Sequence, residues 1–383
     1  MTAPQRFAYI DSMRAIAALM VLVLHTGQLA VAVFPSNAID TWILTPVFTL
    51  DFGRAGVLLF FAISGYVIPA SLRGPTDRIN FPVRRFFRLY PAYWLSILVL
   101  VLISFCLGGT GIDGAQVIAN ISMLQTFLGY DDLEGLYWTL AVELVFYVAC
   151  YGLFLAGLIG KGNVLGGIAL ALASGWYLAF TAAAGPFQSM HFLVPDFISD
   201  RFMEWPAYFS IMFWSAACRQ VADHRATPLT ISMVILLGVF WLVVVPATGL
   251  FVYVTQQHDA AIARWALMKY GAFALGLYAF VGLAFVIRIR SPVLGYLGTI
   301  SFSLYLFHPA IMRLLATAHA TLTPDLPVTP ILFVGLCALA TIAFSAIVYR
   351  YIEAPAISLG TVISAGLVNR RNARTTLDRL PGT

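Results

Sequence analysis

The sequence predicts an all-α, polytopic membrane protein of about ten transmembrane helices, with both termini in the cytoplasm. Hydrophobic residues make up 61% of the 383 residues and charged residues only 10%, whereas a soluble domain has about 25% charged residues. The apolar residues also form long runs. A transmembrane β-barrel would show short segments of alternating hydrophobicity instead, so helices are expected.

Ten apolar runs are long enough to cross a bilayer as helices. A further apolar stretch, 115–128, is short, and we expect it to be interfacial or re-entrant. We assign residues 1–355 to one integral membrane domain and residues 356–383 to a basic, partly disordered cytoplasmic tail. The ten predicted spans are 9–28, 55–72, 90–108, 137–159, 164–184, 203–220, 228–249, 266–287, 293–318 and 328–350.

The distribution of Lys and Arg residues between successive connections gives the orientation. With the N-terminus inside, sixteen of the 22 basic residues lie in or beside the inner connections and five lie on the outer side, while Arg14 lies within the first span. Every inner connection then has at least one basic residue. This bias supports both a cytoplasmic N-terminus and an even number of spans.

The first span carries the ionisable residues Asp11, Arg14 and His25. Arg14 and His25 are eleven residues apart, which places them on one face of a helix and about 16 Å apart along its axis. Ionisable groups in a membrane segment are costly and usually functional. The alternative is a snorkelling arginine together with a histidine that bonds a neighbouring helix.

The connection between the second and third spans is strongly basic, with the sequence RGPTDRINFPVRRFFRLYP. Arg85 and Arg88 are three residues apart, so on a helical turn their guanidinium groups lie side by side. The planar guanidinium suits phosphate, which predicts a site for a phosphorylated cytoplasmic ligand, to which Arg14 could contribute. The alternative is an anchor that binds anionic lipid at the inner surface.

Two more titratable residues lie within predicted spans. Glu143 lies about 9 Å below the outer end of the fourth span, and a carboxylate there needs a partner or a proton. His308 is followed by Pro309, which removes a helical hydrogen bond and frees a backbone carbonyl. We expect His25, Glu143 and His308 to share one depth in the membrane, although sequence alone does not show that they meet. A structural hydrogen bond is the alternative role for Glu143.

Other familiar motifs are missing from the sequence. It contains no GxSxG nucleophile elbow, no phosphate-binding P-loop and no zinc-ligand pattern. The four cysteines lie in apolar segments without metal-ligand spacing. We therefore expect neither a metal nor a nucleic-acid partner.

Six stretches, taken together and in this order, resemble the acyltransferase 3 family of integral membrane acyltransferases. The resemblance runs from residue 9 to residue 355 and implies ten spans and the transfer of an acyl group, often acetyl, from cytoplasmic acyl-CoA to an extracytoplasmic hydroxyl, usually of a carbohydrate. It also implies the cytoplasmic membrane of a bacterium as the location. The stretches are YIDSMRAIAALMVLVLH, LFFAISGYVI, FPVRRFFRLYPAYW, LYWTLAVELVFY, ISFSLYLFHPAIM and YRYIEAP.

The resemblance also implies roles for individual residues. His25 matches the essential histidine of the family, Arg14 its first-span arginine, and Arg85 and Arg88 the paired arginines associated with the acyl donor. Glu143 and His308 lie in matching segments as further catalytic candidates. His25 would act as a general base or carry the acyl group, and a separate extracytoplasmic transferase could complete the reaction.

The residues alone leave two other functions open. A proton-coupled transporter of a small organic anion would use Arg14 as the counter-charge and His25, Glu143 and His308 as a proton relay. A membrane sensor or partner-binding protein would use the same charges structurally. The resemblance favours the enzyme.

Overall fold

The computed structural model describes residues 8–106, 112–184 and 200–377. These residues form α-helices and three π-helical turns and no strand, which confirms the all-α class. The α-helices are α1 (Ala8–Val33), α2 (Ala38–Thr49), α3 (Phe52–Ser71), α4 (Asp77–Cys106), α5 (Gly114–Ile121), α6 (Trp138–Leu155), α7 (Gly162–Ala184), α8 (Asp200–Met203), α9 (Trp205–Ala222), α10 (Pro228–Val239), α11 (Val245–Thr255), α12 (Ala260–Val281), α13 (Pro292–Thr299), α14 (Ser301–Leu322), α15 (Pro330–Val348) and α16 (Ala354–Leu377).

Long apolar helices confirm a polytopic membrane protein. Within the described residues, eight helical stretches are long and apolar enough to cross a membrane, and a ninth is added if α13 and α14 form one broken span. In the described ranges each of the ten predicted runs falls on helical residues, although the run 293–318 is divided between α13 and α14, which are bent by 70°. The run 203–220 falls on α9, which is not among the eight stretches but is buried along most of its length.

The chain divides into two compact units. The first unit comprises Met1–Leu24, Thr41–Ser71 and Val142–Gly298, and the second comprises His25–Asp40, Leu72–Ala141 and Thr299–Thr383. Helix α1 is continuous across the division, so Arg14 and His25 lie on one helix as predicted.

Close helix contacts build the first unit, in which α3 packs against both α9 and α12. Glycines at these contacts let the backbones of neighbouring helices lie close together. A Cβ added to Gly65 of α3 would lie 2.0 Å from the Met212 carbonyl oxygen of α9. A Cβ on Gly276 of α12 would lie 2.6 Å from the Ala55 carbonyl oxygen of α3. Glycine is therefore required at both positions.

In the second unit, α4 is the common support of α14 and α16. Helix α16 begins within two residues of the predicted start of the tail and continues to Leu377. Gly360 of α16 sits against Phe87 of α4, where a Cβ would lie 2.7 Å from the Phe87 Cβ. The segment 356–377 is thus helical, while its cytoplasmic location stays a prediction and residues 378–383 lie outside the described chain.

The apolar stretch 115–128 forms α5 and a series of turns held against α4. The side chains of Tyr90, Tyr93 and Trp94 donate hydrogen bonds of 2.7 to 3.0 Å to backbone carbonyls of residues 120–122. The Asn120 amide in turn donates to the Asp131 carbonyl at 3.0 Å. These bonds satisfy the carbonyls at the end of a short helix, which would otherwise be left unpaired.

Candidate functional site

Two histidines predicted as site residues meet in the second unit. The imidazole rings of His25 on α1 and His308 on α14 stack, with centroids 5.5 Å apart and planes inclined by 20°. His308 is fully buried, whereas His25 is half-buried. The sequence placed both in the outer halves of their spans, and the structure adds their side-by-side contact.

The orientation of the His308 ring follows from Pro309. An α-helical residue at position 309 would donate its N–H to the Tyr305 carbonyl, but proline has no N–H. His308 takes this place, with its Nδ1 atom 2.8 Å from the Tyr305 carbonyl oxygen. Because a carbonyl only accepts, Nδ1 carries the proton in the neutral ring, and the lone pair is on Nε2.

The Nε2 atom of His308 is buried and has no hydrogen-bond partner in the described part of the chain. A buried polar atom without a partner is costly, so such atoms are rare in proteins and are found at functional sites. Within the described residues, the ring therefore has one nitrogen lone pair, that of Nε2, which makes no hydrogen bond.

Tyr305, whose carbonyl accepts from His308, is itself hydrogen-bonded to residues at the start of α6. Its hydroxyl lies 2.8 Å from the Thr139 hydroxyl and donates to the Leu136 carbonyl at 3.3 Å. Five residues beyond His308, Arg313 forms a bidentate pair with Glu134, with contacts of 2.8 and 2.9 Å. Sequence analysis missed these residues, although Thr139 and Tyr305 lie within the two stretches that carry Glu143 and His308.

Glu143 on α6 belongs to the first unit, where two hydroxyl groups hold its carboxylate. Ser64 of α3 donates to Oε1 at 3.0 Å, and the Tyr147 hydroxyl, one turn along α6, donates to the same oxygen. The expected partner of a membrane carboxylate is therefore present. Sequence analysis did not single out Ser64 as this partner, and a catalytic role of Glu143 stays a prediction.

The two predicted donor-binding arginines of α4 share one helical turn, but Arg88 already has a partner. Its Nη1 atom lies 3.5 Å from Oε1 of Glu353, whose side chain is fully buried. The Ser303 hydroxyl of α14 donates to the other oxygen of Glu353 at 2.8 Å. Glu353 therefore fixes the Arg88 guanidinium and ties α4 to the helix of His308.

The other two cations have local contacts of their own. The Arg85 guanidinium carbon lies 5.3 Å from the centroid of the Phe81 ring, one turn back on α4. Arg14 Nη1 lies 3.3 Å from the Asp11 carboxylate on α1.

Sequence analysis missed Glu353, the partner of Arg88, which is the only carboxylate of the stretch YRYIEAP.

No group of three or more His, Cys, Asp or Glu side chains within the described ranges is placed to hold a metal ion.

Comparisons with known proteins give one family model and two curated relatives that match this chain. A family model described as an acyltransferase domain (Acyl_transf_3) matches residues 7–350. The chain is 30% identical over 158 residues to "Nodulation protein 10" of Rhizobium leguminosarum bv. viciae, covering 36% of this chain and 41% of that protein. It is 27% identical over 151 residues to "Acyltransferase MdmB" of Streptomyces mycarofaciens, covering 37% and 38%.

The matched regions thus span about two fifths of the length of these curated relatives. No solved structure matches the chain.

Proposed function

This chain belongs to the acyltransferase 3 family, and we propose that it transfers an acyl group, by default acetyl, from cytoplasmic acyl-CoA to a hydroxyl of an extracytoplasmic carbohydrate or glycoconjugate. It is an integral membrane acyltransferase by family and by its long apolar helices. The stacked pair of His25 and His308 is the observation that carries the proposal.

The reaction needs a base that operates near neutral pH, and imidazole is the side chain best suited to it. In our proposal His25 accepts the proton of the acceptor hydroxyl while the hydroxyl oxygen attacks the thioester carbonyl. The carbon–sulfur bond then breaks, and the CoA thiolate takes the proton back from the imidazolium. Direct attack by His25, which would form an acyl-imidazole, is the second route.

The neighbouring ring of His308 suits a supporting role. Its Nδ1 proton is committed to the Tyr305 carbonyl, so only the Nε2 lone pair can take part in proton transfer. Two stacked imidazolium ions would repel each other, which favours a pair that holds one proton at a time. We propose that His308 shares the proton that His25 removes.

Glu143 completes the proposed catalytic set. Its carboxylate accepts hydrogen bonds from Ser64 and Tyr147, and in our proposal it orients or stabilises an imidazolium, as the third member of a triad does.

Donor binding is assigned to Arg14, Arg85 and Arg88. Arg88 has five N–H donors, and a single contact with Glu353 leaves others for phosphate oxygens. Arg85 lies one turn away on the same helix and presents a second planar fork to the same anion. The long pantetheine arm of the donor would carry its thioester from these arginines towards His25.

Two further points belong to the proposal. The protein would reside in the cytoplasmic membrane of a bacterium, in contact with lipid, with acceptor and donor on opposite sides. Transfer would be direct, or a separate extracytoplasmic transferase would complete it.

Mass spectrometry of extracted surface glycans tests the proposal. Three strains would be compared, which carry the intact protein, no protein, or the His25→Ala variant at equal membrane levels. We expect an acyl mass on one glycan in the first strain alone. The same glycan masses in all three strains would refute the proposal.

A further inference from the structure

A cavity of about 530 Å³ opens in the second unit, where α1 and α14 end. The positive-inside distribution places these ends on the outer side of the membrane. Val33 and Phe34 from the end of α1, His319 from α14, and the connection 324–329 between α14 and α15 contribute to its lining. The volume is within the range of about 300–1,000 Å³ that small-molecule sites have.

The walls of this cavity are held in place by specific contacts. The His319 Nε2 atom lies 3.0 Å from the Leu326 carbonyl oxygen and holds the connection against α14. The Phe34 ring meets the His319 ring edge-on, with centroids 4.9 Å apart. The buried carboxylate of Asp40 accepts from the Ile331 N–H at 3.1 Å, which ties the first turn of α15, directly after the connection, to the first turn of α2. The cavity is therefore preformed.

The lining suits an uncharged ligand that is rich in hydroxyl groups. Phe34 and three prolines offer flat apolar surfaces, while Asp325, Thr329 and His319 offer polar atoms. Among the described residues no lysine or arginine lines the cavity, whereas the acidic residue Asp325 does, so an anionic ligand is disfavoured. Because the His319 Nε2 atom donates to the Leu326 carbonyl, Nδ1 of the neutral ring is the nitrogen that can accept from a hydroxyl.

The cavity shares both of its main helices with the stacked histidines. Val33 lies eight residues beyond His25 on α1, and His319 lies eleven residues beyond His308 on α14. At 1.5 Å per residue, these intervals correspond to about 12 and 16 Å. A short oligosaccharide spans such a distance, whereas a single sugar does not.

We propose that this cavity binds the part of the acceptor that does not react, an uncharged sugar segment of an oligosaccharide or glycoconjugate. The inference rests on the proposed acyl transfer and adds an acceptor subsite to it. Binding energy from such a remote segment would orient the reacting hydroxyl at His25.

Filling the cavity tests this inference. Ala320 is exposed and lines the cavity, so Ala320→Trp places an indole in it. Leu322, on the same helix, is 78% exposed and does not line the cavity, which makes Leu322→Trp the matched control. Each variant would be purified into nanodiscs and given radiolabelled acetyl-CoA.

Two rates separate acceptor binding from chemistry. One is transfer of label to a total envelope glycan and glycolipid extract from cells that lack the protein. The other is slow hydrolysis of acetyl-CoA without the extract, in which water is the acceptor. We expect Ala320→Trp to lower transfer by about tenfold or more while hydrolysis changes less than about twofold, because only remote binding energy is lost. Leu322→Trp should leave both rates unchanged.

Asp325→Asn on the exposed connection provides a second, milder variant, which should raise the extract concentration needed for half-maximal transfer without changing hydrolysis.

Transfer at the wild-type rate in Ala320→Trp would overturn the proposed subsite, as would an equal loss of the transfer rate and the hydrolysis rate. A wild-type protein that consumes no acetyl-CoA at all would instead refute the proposed function itself.

Discussion

The imidazole ring of His308 lies parallel to within 20° against that of His25, with 5.5 Å between the ring centroids. Pro309 frees the Tyr305 carbonyl, the carbonyl accepts from Nδ1 of His308, and the lone pair is left on Nε2. The position of a proline in the sequence thereby determines which nitrogen of a buried histidine can act as a base.

Replacing His308 with asparagine should abolish most of the acyl transfer while the fold is retained. The asparagine amide can still donate to the Tyr305 carbonyl, but it has no imidazole lone pair. Loss of one proton-transfer group lowers a rate by about 100-fold or more. The rate of acetyl transfer in nanodiscs measures this effect, and Phe307→Leu on the same helix serves as a packing control. Activity near that of the wild type would exclude His308 from the reaction.

Replacing Pro309 with alanine should lower activity without lowering stability. The new backbone N–H competes for the Tyr305 carbonyl, and His308 then loses the bond that sets its tautomer. We expect a loss of about tenfold, since a wrongly oriented base is a weaker catalyst. Thermal unfolding and transfer rate would be measured together. Pro46→Ala, which removes another proline within a helix, should leave the rate unchanged.

Variants of the ion pair between Arg88 and Glu353 can distinguish a structural role of Arg88 from a role in donor binding. Arg88→Met alone removes the cation that lies 3.5 Å from the buried Glu353 carboxylate, which should cost on the order of 3 kcal/mol of stability. The double variant Arg88→Met/Glu353→Gln removes both charges and should regain that stability. It should not regain donor binding, because the phosphate contact is still missing.

Binding of CoA and thermal unfolding of the three proteins measure the two roles separately. Normal CoA affinity in the double variant would show that Arg88 serves only to neutralise Glu353.

Tyr147→Phe removes one of the two hydroxyl groups that donate to the Glu143 carboxylate. Loss of a hydrogen bond to a half-buried carboxylate should destabilise the protein by about 1–3 kcal/mol. If Glu143 acts on the catalytic histidine, transfer should also fall and its pH optimum should shift. Tyr151→Phe, one turn further along α6, is the matched control. A loss of stability with an unchanged pH profile would mark Glu143 as structural.

Hydrophobic runs and helical spacing were enough to predict the long apolar helices and to put Arg14 and His25 on one helix, because both depend on local periodicity. The contact between His25 and His308 could not be predicted in the same way, since it depends on which helices become neighbours. Glu353 was missed because a lone carboxylate at the end of an apolar run resembles a boundary residue. The segment after Pro355 was expected to be a tail, yet Gly360 allows it to pack as a helix on Phe87.

The central claim is that His25 and His308 act as one unit in acyl transfer, and a double-mutant cycle of the transfer rate tests it most directly. The variants are His25→Asn, His308→Asn and the two together, all in nanodiscs with acetyl-CoA and the envelope glycan extract. Residues that act as a unit show strongly non-additive losses. The account predicts that the double variant is no slower than the worse single variant. Transfer near the wild-type rate in His25→Asn, or losses that multiply in the double variant, would contradict it.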